Sequence, residues 1–275
     1  MAQRRNTMRW SLIGVITALA VALAFVVTNI DGGTRAEAKP GPKPSLTAAS
    51  KSAAPSKSTA KPAPPALKGI GWWPTDEKSG GVARDAAGKH PADLKDGAGW
   101  TKGEQGGALL LNGTSGYADA GAPIVETVGR DYSAAAAVRL DADGFRTAVS
   151  LDGAGSSVFF LQYVADYRRF SFSFSNARAL ANLVEAPKLG RWYHLVGTYS
   201  HSEKKLRVYV DGVAAGEVLA PDNPEKPAGN LVIGRGKYQG KPTDFWPGAI
   251  ADVHVYDRAL TPAEIAALAA REPSR

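Results

Sequence analysis

Pairs of acidic side chains are the first place to look for chemistry in this chain, which has 26 Asp and Glu residues among 275. Side chains two residues apart on a β-strand point to the same face, so a Glu followed two positions later by an Asp would aim two carboxylates into one cleft, as retaining glycoside hydrolysis requires. No Glu in the sequence is followed in this way. The closest acidic pairs, Asp76-Glu77 and Asp141-x-Asp143, lie in turn-like segments, which favours solvated carboxylates.

Other catalytic patterns are no stronger. A polysaccharide lyase needs a Tyr or His base beside Arg and Gln, and the segments 167–169 (Tyr-Arg-Arg) and 237–239 (Lys-Tyr-Gln) have those residue types without a motif spacing. The sequence has no G-x-S-x-G, and its four histidines are too scattered for a metalloprotease helix. We therefore expect no catalytic residues and no enzyme, with a divergent glycosidase or polysaccharide lyase as the less favoured alternative.

Aromatic rings in loops are the better candidates for contacts with a sugar, because an exposed flat ring stacks on the C–H face of a pyranose. The chain has six Trp and nine Tyr residues. Four of them lie in loop-like sequence and are the predicted ligand-binding residues: Trp100, Tyr167, Tyr238 and Trp246. Adjacent residues on a strand point to opposite faces, so at most one of Trp72 and Trp73 belongs to the main core.

The basic net charge of +7 lies in the N-terminal part of the chain. Residues 1–66 contain 9 of the 33 bases and 2 of the 26 acids, which leaves 24 of each from residue 67 onward. Nucleic-acid binding depends on a basic footprint in the folded part, so we expect no nucleic-acid partner.

The first 66 residues predict a membrane segment and a linker. Residues 1–9 are basic and expected in the cytoplasm, and residues 10–30 are uncharged and long enough, at about 1.5 Å per residue, to span about 30 Å of hydrocarbon as a helix. A signal anchor is favoured over a signal peptide cleaved near Ala38. Residues 31–66 are rich in Lys, Pro, Ala and Ser and predict a disordered linker. The domain that follows is expected outside the cell membrane, or secreted if the segment is cleaved.

Residues 67–275 predict an all-β domain, because short apolar or alternating runs are separated by Gly, Asp and Asn. Segment 169–175 alternates Phe with Ser, as a half-buried strand should. Segment 133–140 is rich in Ala but is interpreted as a central strand, because strands surround it and no cap precedes it. Asp211-Gly212 predicts a tight hairpin. Thr261-Pro-Ala-Glu264 predicts a capped C-terminal helix.

Five segments, taken in order from about residue 69 to 268, resemble the bacterial laminin-G-like (LamG) jelly rolls of the concanavalin A-like lectin/glucanase superfamily. The matching segments are 103–113 with Tyr117, 192–199, 206–212, 231–234 and 246–265. The resemblance implies two antiparallel sheets, one of them concave, in an extracellular or cell-surface setting. This scaffold carries hydrolases, lyases, lectins and adhesion domains, so the fold does not by itself decide the function.

Calcium is the one cofactor that the residues leave open, and no Cys is present to bind another metal. The resemblance implies Asp at two positions where this chain has Asn112 and Ala251, and a hard cation needs negatively charged oxygen ligands. Asp252 is next to Ala251, but a shift of one residue along a regular strand turns a side chain to the other face. The weak calcium candidates are therefore Asp76, Asn112 and Asp244.

These observations favour a non-catalytic, lectin-like module that binds a glycan or cell-surface polysaccharide. A protein-interaction or structural module of the cell surface is the alternative, with a protein partner instead of a sugar.

Overall fold

The computed structural model describes residues 67–220, 223 and 225–270. The predicted membrane helix (10–30) and linker (31–66) lie outside these residues. Within the described ranges, no helix is long and apolar enough to cross a membrane. The described chain is built from antiparallel strands with one short helix near its C-terminal end, which confirms the all-β sandwich predicted from the sequence.

The secondary structure runs as follows in chain order. The strands before the domain's centre are β1 (Gly71–Trp73), β2 (Val82–Ala83), β3 (Ala92–Lys95), β4 (Gly99–Lys102), β5 (Gly107–Asn112), β6 (Tyr117–Asp119), β7 (Tyr132–Leu140), β8 (Arg146–Gly153) and β9 (Ser157–Val164). A 3-10 turn at Ala165–Tyr167 leads to β10 (Arg169–Ser173), β11 (Arg178–Leu180), β12 (Trp192–Ser200), β13 (Lys205–Val210), β14 (Val213–Leu219) and β15 (Pro227–Ile233). The described chain closes with β16 (Gly236–Tyr238), β17 (Lys241–Thr243), β18 (Pro247–Tyr256) and helix α1 (Pro262–Ala269).

Two eight-stranded sheets form the sandwich. Sheet A has the order β14-β13-β12-β7-β18-β5-β4, and β1 also pairs with β18. Strand β18 is long enough to pair with β5 through its first half and with β1 through its second half. Sheet B has the order β11-β10-β9-β8-β15-β6-β3-β2, and β16 and β17 form a separate hairpin.

Both sheets contribute large side chains to the core between them. Phe170 and Phe172 of β10 are fully buried in it, as the alternating sequence predicts. Ser171 and Ser173 on the opposite face are buried as well, so β10 is not half-exposed; Gln162 of β9 donates to the Ser173 hydroxyl over 3.1 Å. Because this second face is also covered, its polar side chains need hydrogen-bond partners, and the serine hydroxyl groups find them in neighbouring polar groups.

The alanine-rich segment forms a central strand, which confirms its interpretation from the sequence. Strand β7 lies between β12 and β18. Ala134 and Ala136 face the core between the sheets, whereas Ala135 and Ala137 belong to separate clusters on the outer face of sheet A. Tertiary pairing therefore overrides the helical propensity of alanine.

Helix α1 begins at the predicted capping box. The Thr261 hydroxyl accepts from the Glu264 backbone N–H over 3.4 Å, and the Glu264 carboxylate accepts from the Thr261 N–H over 2.9 Å. Hydrogen bonds from the Arg258 side chain and the Thr261 backbone lower the pKa of Glu264 to about 2. The helix buries Ile265 and Leu268 against the outer face of sheet A, so it covers one half of that face.

Gly197 of β12 allows the two sheets to approach closely. A Cβ atom built at this position would overlap the Phe172 ring of the opposite sheet. We expect Gly197→Ala to lower the free energy of unfolding by about 1–3 kcal/mol, because overpacking a tight core forces side chains or backbone to shift. Gly99→Ala in β4, where an added Cβ meets nothing within 4 Å, is the matched control and should change stability little. Urea denaturation measures both, and equal effects would contradict the role assigned to Gly197.

Candidate functional site

The half of sheet A's outer face that helix α1 leaves uncovered holds a cleft of about 560 Å³, here called the sheet A cleft. Its lining comes from β1, β7, β12, β18, the loop before β5, the β13–β14 turn and the end of α1. The lining residues are Trp72, Pro74, Asp76, Glu104, Gln105, Gly106, Gly107, Ala137, Arg191, Trp192, His194, Asp211, Ala251, Asp252, Leu268 and Ala269.

The floor of the cleft is low because two neighbouring strands, β18 and β7, present small side chains. Ala251 of β18 pairs with Ala137 of β7, which in turn pairs with His194 of β12. Ala108 and Ala249 lie in the same outer cluster and are fully buried. A larger residue at Ala251 or Ala137 would fill the space, so alanine at these two positions creates the cleft.

Strand β18 breaks its alternation at Asp252. The pairing between β18 and β7 shifts in register between Ala251 and His254, and Asp252 has a left-handed backbone with φ of 46°. Such a bulge places two successive side chains on the same face. Asp252 therefore lines the cleft together with Ala251, and the expectation that it turns to the other face is wrong. Asp tolerates the left-handed region better than most residues, which fits it to this position.

The Asp252 carboxylate is held on one side by two ring N–H groups. Trp72 Nε1 donates to Asp252 Oδ1 over 2.7 Å, and His254 Nε2 lies 3.0 Å from the same oxygen. Burial alone would raise the pKa of Asp252, but the hydrogen bonds from His254 and Trp72 and the nearby histidine charge lower its pKa overall. Asp252 is thus an ionised carboxylate at neutral pH, and its Oδ2 atom has no hydrogen-bond partner among the described residues.

Two tryptophans stand at the cleft. Trp72 is stacked on His254 at 5.5 Å, while its neighbour Trp73 is fully buried in the core, which confirms that only one of the pair belongs there. The buried Asp85 carboxylate holds the backbone beneath Trp72 by accepting the Trp72 N–H over 2.9 Å. Trp192, at the start of β12, is half-buried and lies under the Arg139 guanidinium at 5.8 Å.

The β13–β14 turn supplies the polar edge of the cleft. Asp211 accepts from Arg191 Nη2 over 3.1 Å and from the His194 N–H over 2.9 Å. Asp211 and Gly212 have φ values of 50° and 80°, which confirms the predicted tight hairpin. A Cβ atom on Gly212 would lie 3.1 Å from the Ala269 Cβ, so the turn needs glycine to pass beneath α1.

The four predicted ligand-binding aromatics do not meet in this cleft. The prediction for Trp246 is wrong, because its ring is fully buried in the core and its Nε1 donates to the Arg139 carbonyl over 3.0 Å. Trp100 packs partly against the core and donates to the Gly80 carbonyl over 2.7 Å. Tyr167 and Tyr238 are exposed by 55% and 57%, but neither lines the cleft.

The three calcium candidates already have other partners. The Asn112 side-chain oxygen accepts the N–H groups of the next turn, among them that of Gly116 over 2.9 Å. Asp76 lines the sheet A cleft and pairs with Arg84 at 3.3 Å. Burial raises the pKa of Asp244, which accepts from its neighbour Thr243. Among the residues that the structure describes, no group of three or more His, Asp and Glu side chains could hold a metal ion.

A guanidinium stands among the carbonyl groups next to Asn112. Arg146 Nη1 donates to the Gly113 carbonyl over 3.2 Å and to the Phe245 carbonyl over 3.0 Å, and Nη2 donates to the Asp143 carbonyl over 3.0 Å. The Arg146 cation thus satisfies three carbonyl oxygens and stabilises this rim of the sandwich.

Sequence reasoning did not place Trp72, Trp192, His194 and Asp252 in one site. The Trp72-Trp73 doublet carried a usable signal, because only one ring of such a pair can enter the core. The bulge at Asp252 had no sequence signal of its own, since an isolated Asp in a strand pattern does not indicate a left-handed backbone. Trp192 lies in segment 192–199 of the family resemblance, which does not mark its ring as part of a cleft.

A comparison with family models matches residues 112–266 to Laminin_G_3, described as the concanavalin A-like lectin/glucanases superfamily. Among curated proteins, human neuronal pentraxin-1 is 35% identical over 88 residues, which is 29% of this chain and 20% of the pentraxin. The rat protein of the same name matches equally well. The chain thus spans about a fifth of the length of the pentraxins that it matches.

Solved structures share the fold at low identity. Domain 4 of AbnA, a GH43 extracellular arabinanase from Geobacillus stearothermophilus in complex with arabinotriose, has a TM-score of 0.56 and 18% identity, and covers 74% of this chain and 98% of that domain. Trypanosoma rangeli sialidase in complex with sialic acid has a TM-score of 0.53 and 19% identity, and covers 72% of this chain and 32% of the sialidase. Identities this low establish the architecture alone.

The pKa of Asp252 generates a prediction about acid stability. A carboxyl group whose pKa is lower in the folded than in the unfolded state stabilises the fold above the unfolded pKa, about 3.9 for Asp, and loses that contribution as the pH falls through the folded pKa. We expect Asp252→Asn to be less stable than the wild type at neutral pH and the difference to shrink below about pH 4. Asn tolerates the same backbone conformation, so strain does not enter. Urea denaturation of both proteins across this pH range measures the difference in their free energies of unfolding. A difference that does not change with pH would contradict an ionised Asp252.

Proposed function

We propose, given that the chain belongs to the Laminin_G_3 family of the concanavalin A-like lectin/glucanase superfamily, that it is a non-catalytic carbohydrate-binding module that uses the sheet A cleft. The observation that carries the proposal is the combination of two tryptophans, Trp72 and Trp192, with the ionised Asp252 in one open cavity. Aromatic faces pack against the apolar face of a sugar ring, and a fixed carboxylate accepts hydrogen bonds from its hydroxyl groups.

The charge state of Asp252 supports binding over hydrolysis. A glycosidase needs one carboxyl group that stays protonated to donate to the leaving group and a second one that is ionised. The pKa of Asp252 is lowered by its ring N–H partners, so it cannot be the acid. Asp244, whose pKa is raised by burial, does not line the cleft. The absence of a Glu-x-Asp pair from the sequence points in the same direction.

The relatives support a sugar ligand at the level of the fold. The solved structure of AbnA domain 4 contains arabinotriose, and that of the sialidase contains sialic acid. Neither ligand is transferred to this chain. The shared fold covers 98% of AbnA domain 4 but only 32% of the sialidase, so the support for a glycan ligand in this architecture comes from the arabinotriose complex.

The proposal includes a location. Residues 10–30 would act as a signal anchor and residues 31–66 as the linker that holds the domain outside the membrane, where polysaccharide is available. Protease treatment of intact cells tests the location. A linker cleaved from outside agrees with it, and a chain that is cut only after lysis contradicts it.

The central test replaces the tryptophans of the cleft. We expect Trp192→Ala and Trp72→Ala each to weaken the retention of the full-length chain on immobilised polysaccharides by about tenfold or more, because each removes an aromatic face. Tyr238→Ala and Tyr167→Ala, which remove exposed rings outside the cleft, are the matched controls and should leave binding unchanged.

Three results bear against the proposal. Loss of binding in the tyrosine variants alone would place the site elsewhere. If the wild type retains no glycan and binds a protein partner, and if sugars do not compete with that partner, the alternative of a protein-interaction module is favoured. Release of shortened oligosaccharides from a polysaccharide would show an enzyme.

A further inference from the structure

We infer that the sheet A cleft selects glycans that carry free amino groups and rejects acidic glycans. This inference rests on the carbohydrate-binding function proposed above and adds the chemical class of the ligand. The site itself is the cavity with its two tryptophans; the charges around it decide which sugars it accepts.

The cleft is electronegative. Among its lining residues, four have carboxylate side chains, one has a guanidinium and one has an imidazole: Asp76, Glu104, Asp211, Asp252, Arg191 and His194. The Arg191 guanidinium offsets only Asp211, with which it pairs at 3.1 Å. Asp76 also has a basic partner in Arg84 at 3.3 Å. The two remaining carboxylates, Glu104 and Asp252, form no ion pair with a Lys or Arg of the described chain.

These two carboxylates are available to a ligand in different ways. Asp252 offers Oδ2, while its Oδ1 is fixed by Trp72 at 2.7 Å and by His254 at 3.0 Å, so this charge is held in place before a ligand arrives. Glu104 lies in the exposed loop before β5 and can move toward a bound sugar. An ammonium group donates hydrogen bonds in three directions, so a fixed carboxylate and an adjustable one can both contact it.

The tryptophans favour the same class of ligand. An ammonium group near the face of a Trp ring is attracted by the electrons of the ring, and this attraction adds to that of a nearby carboxylate. A uronate or sialate carboxylate would instead approach Asp252 and Glu104 as a like charge in a partly buried site, where screening by salt is weaker than at the open surface. The likeness in fold to a sialidase therefore does not extend to its acidic ligand.

The overall charge of the protein cannot produce this preference. The part of the chain from residue 67 onward is formally neutral, and the residues before it add a charge of +7. Non-specific electrostatics would repel a polycation from the whole chain. Attraction of an amino sugar polymer must consequently come from a local group of acids, which is what the cleft provides.

The test compares two glycans that share one backbone. Oligomers of glucosamine, with free amines, and oligomers of N-acetylglucosamine, with the amines blocked, are titrated against the full-length chain at mildly acidic pH, with oligogalacturonate as the acidic glycan and polylysine as an amine without sugar. We expect the glucosamine oligomers to bind about tenfold more tightly than the acetylated ones, and this advantage to fall with added salt.

Variants that remove charge but keep shape separate the contributions. Glu104→Gln should weaken binding of the glucosamine oligomers by about tenfold and change binding of the acetylated oligomers less than about twofold. Asp252→Asn should weaken binding of both, because Asp252 also accepts from sugar hydroxyl groups, and should weaken binding of the glucosamine oligomers more. Glu104 is exposed, so its variant also serves if Asp252→Asn lowers stability. Asp166→Asn, an exposed acid in the 3-10 turn outside the cleft, is the matched control and should change neither.

Each contrary result has a distinct meaning. Equal affinity for the glucosamine and the N-acetylglucosamine oligomers, or tighter binding of oligogalacturonate, would overturn the amine preference and leave the carbohydrate-binding function unaffected. Polylysine bound as tightly as the glucosamine oligomers, with no binding of acetylated sugar, would overturn the inference in favour of a basic peptide ligand. Binding of none of the four would overturn the proposed function and this inference with it.

Discussion

Small side chains on the outer face of sheet A are the constraint on which the rest of the site depends. Ala251 and Ala137 lie side by side on this face, so a sheet that would otherwise be covered by its own side chains leaves a cavity there. The same property acts differently a few residues away, where Ala135 lets helix α1 pack down on Val196 and Tyr209. One run of small residues thus creates the seat of the helix and the floor of the cleft beside it.

The second requirement is a carboxylate that faces outward from the middle of β18. A regular strand cannot supply it next to Ala251, because alternation would send Asp252 into the apolar core, where an ionised group is costly. The bulge resolves this conflict: Val253 enters the core, while Ala251, Asp252 and His254 stay on the outer side. The left-handed backbone at Asp252 is the local cost, and its two hydrogen bonds to ring nitrogens offset part of it.

The sequence was informative about the secondary structure of the fold and uninformative about the functional site, for physical reasons. The Phe-Ser alternation of 169–175 predicted β10, and the turn and cap residues predicted the Asp211-Gly212 turn and the capping box, because these features depend on local chemistry. Strand β7 was predicted from the strands that surround it in the sequence. Short edge strands such as β2, β11 and β17 escaped prediction, since two or three residues carry no period. The site depends on which strands are neighbours: Trp72 and Asp252 are 180 residues apart in the chain. Trp246 misled because a loop-like context in sequence does not reveal that a ring turns inward.

Strand β1 links the site to the local stability of the fold. It consists of three residues, its pairing runs only to the second half of β18 among the described strands, and the Asp85 carboxylate secures it from the other side. Short edge elements of this kind open at lower free energy than the centre of a sheet. Since Trp73 contributes to the core and Trp72 to the cleft, a ligand held against Trp72 also holds the strand closed. Occupancy of the cleft would then be visible as slower amide hydrogen exchange in β1.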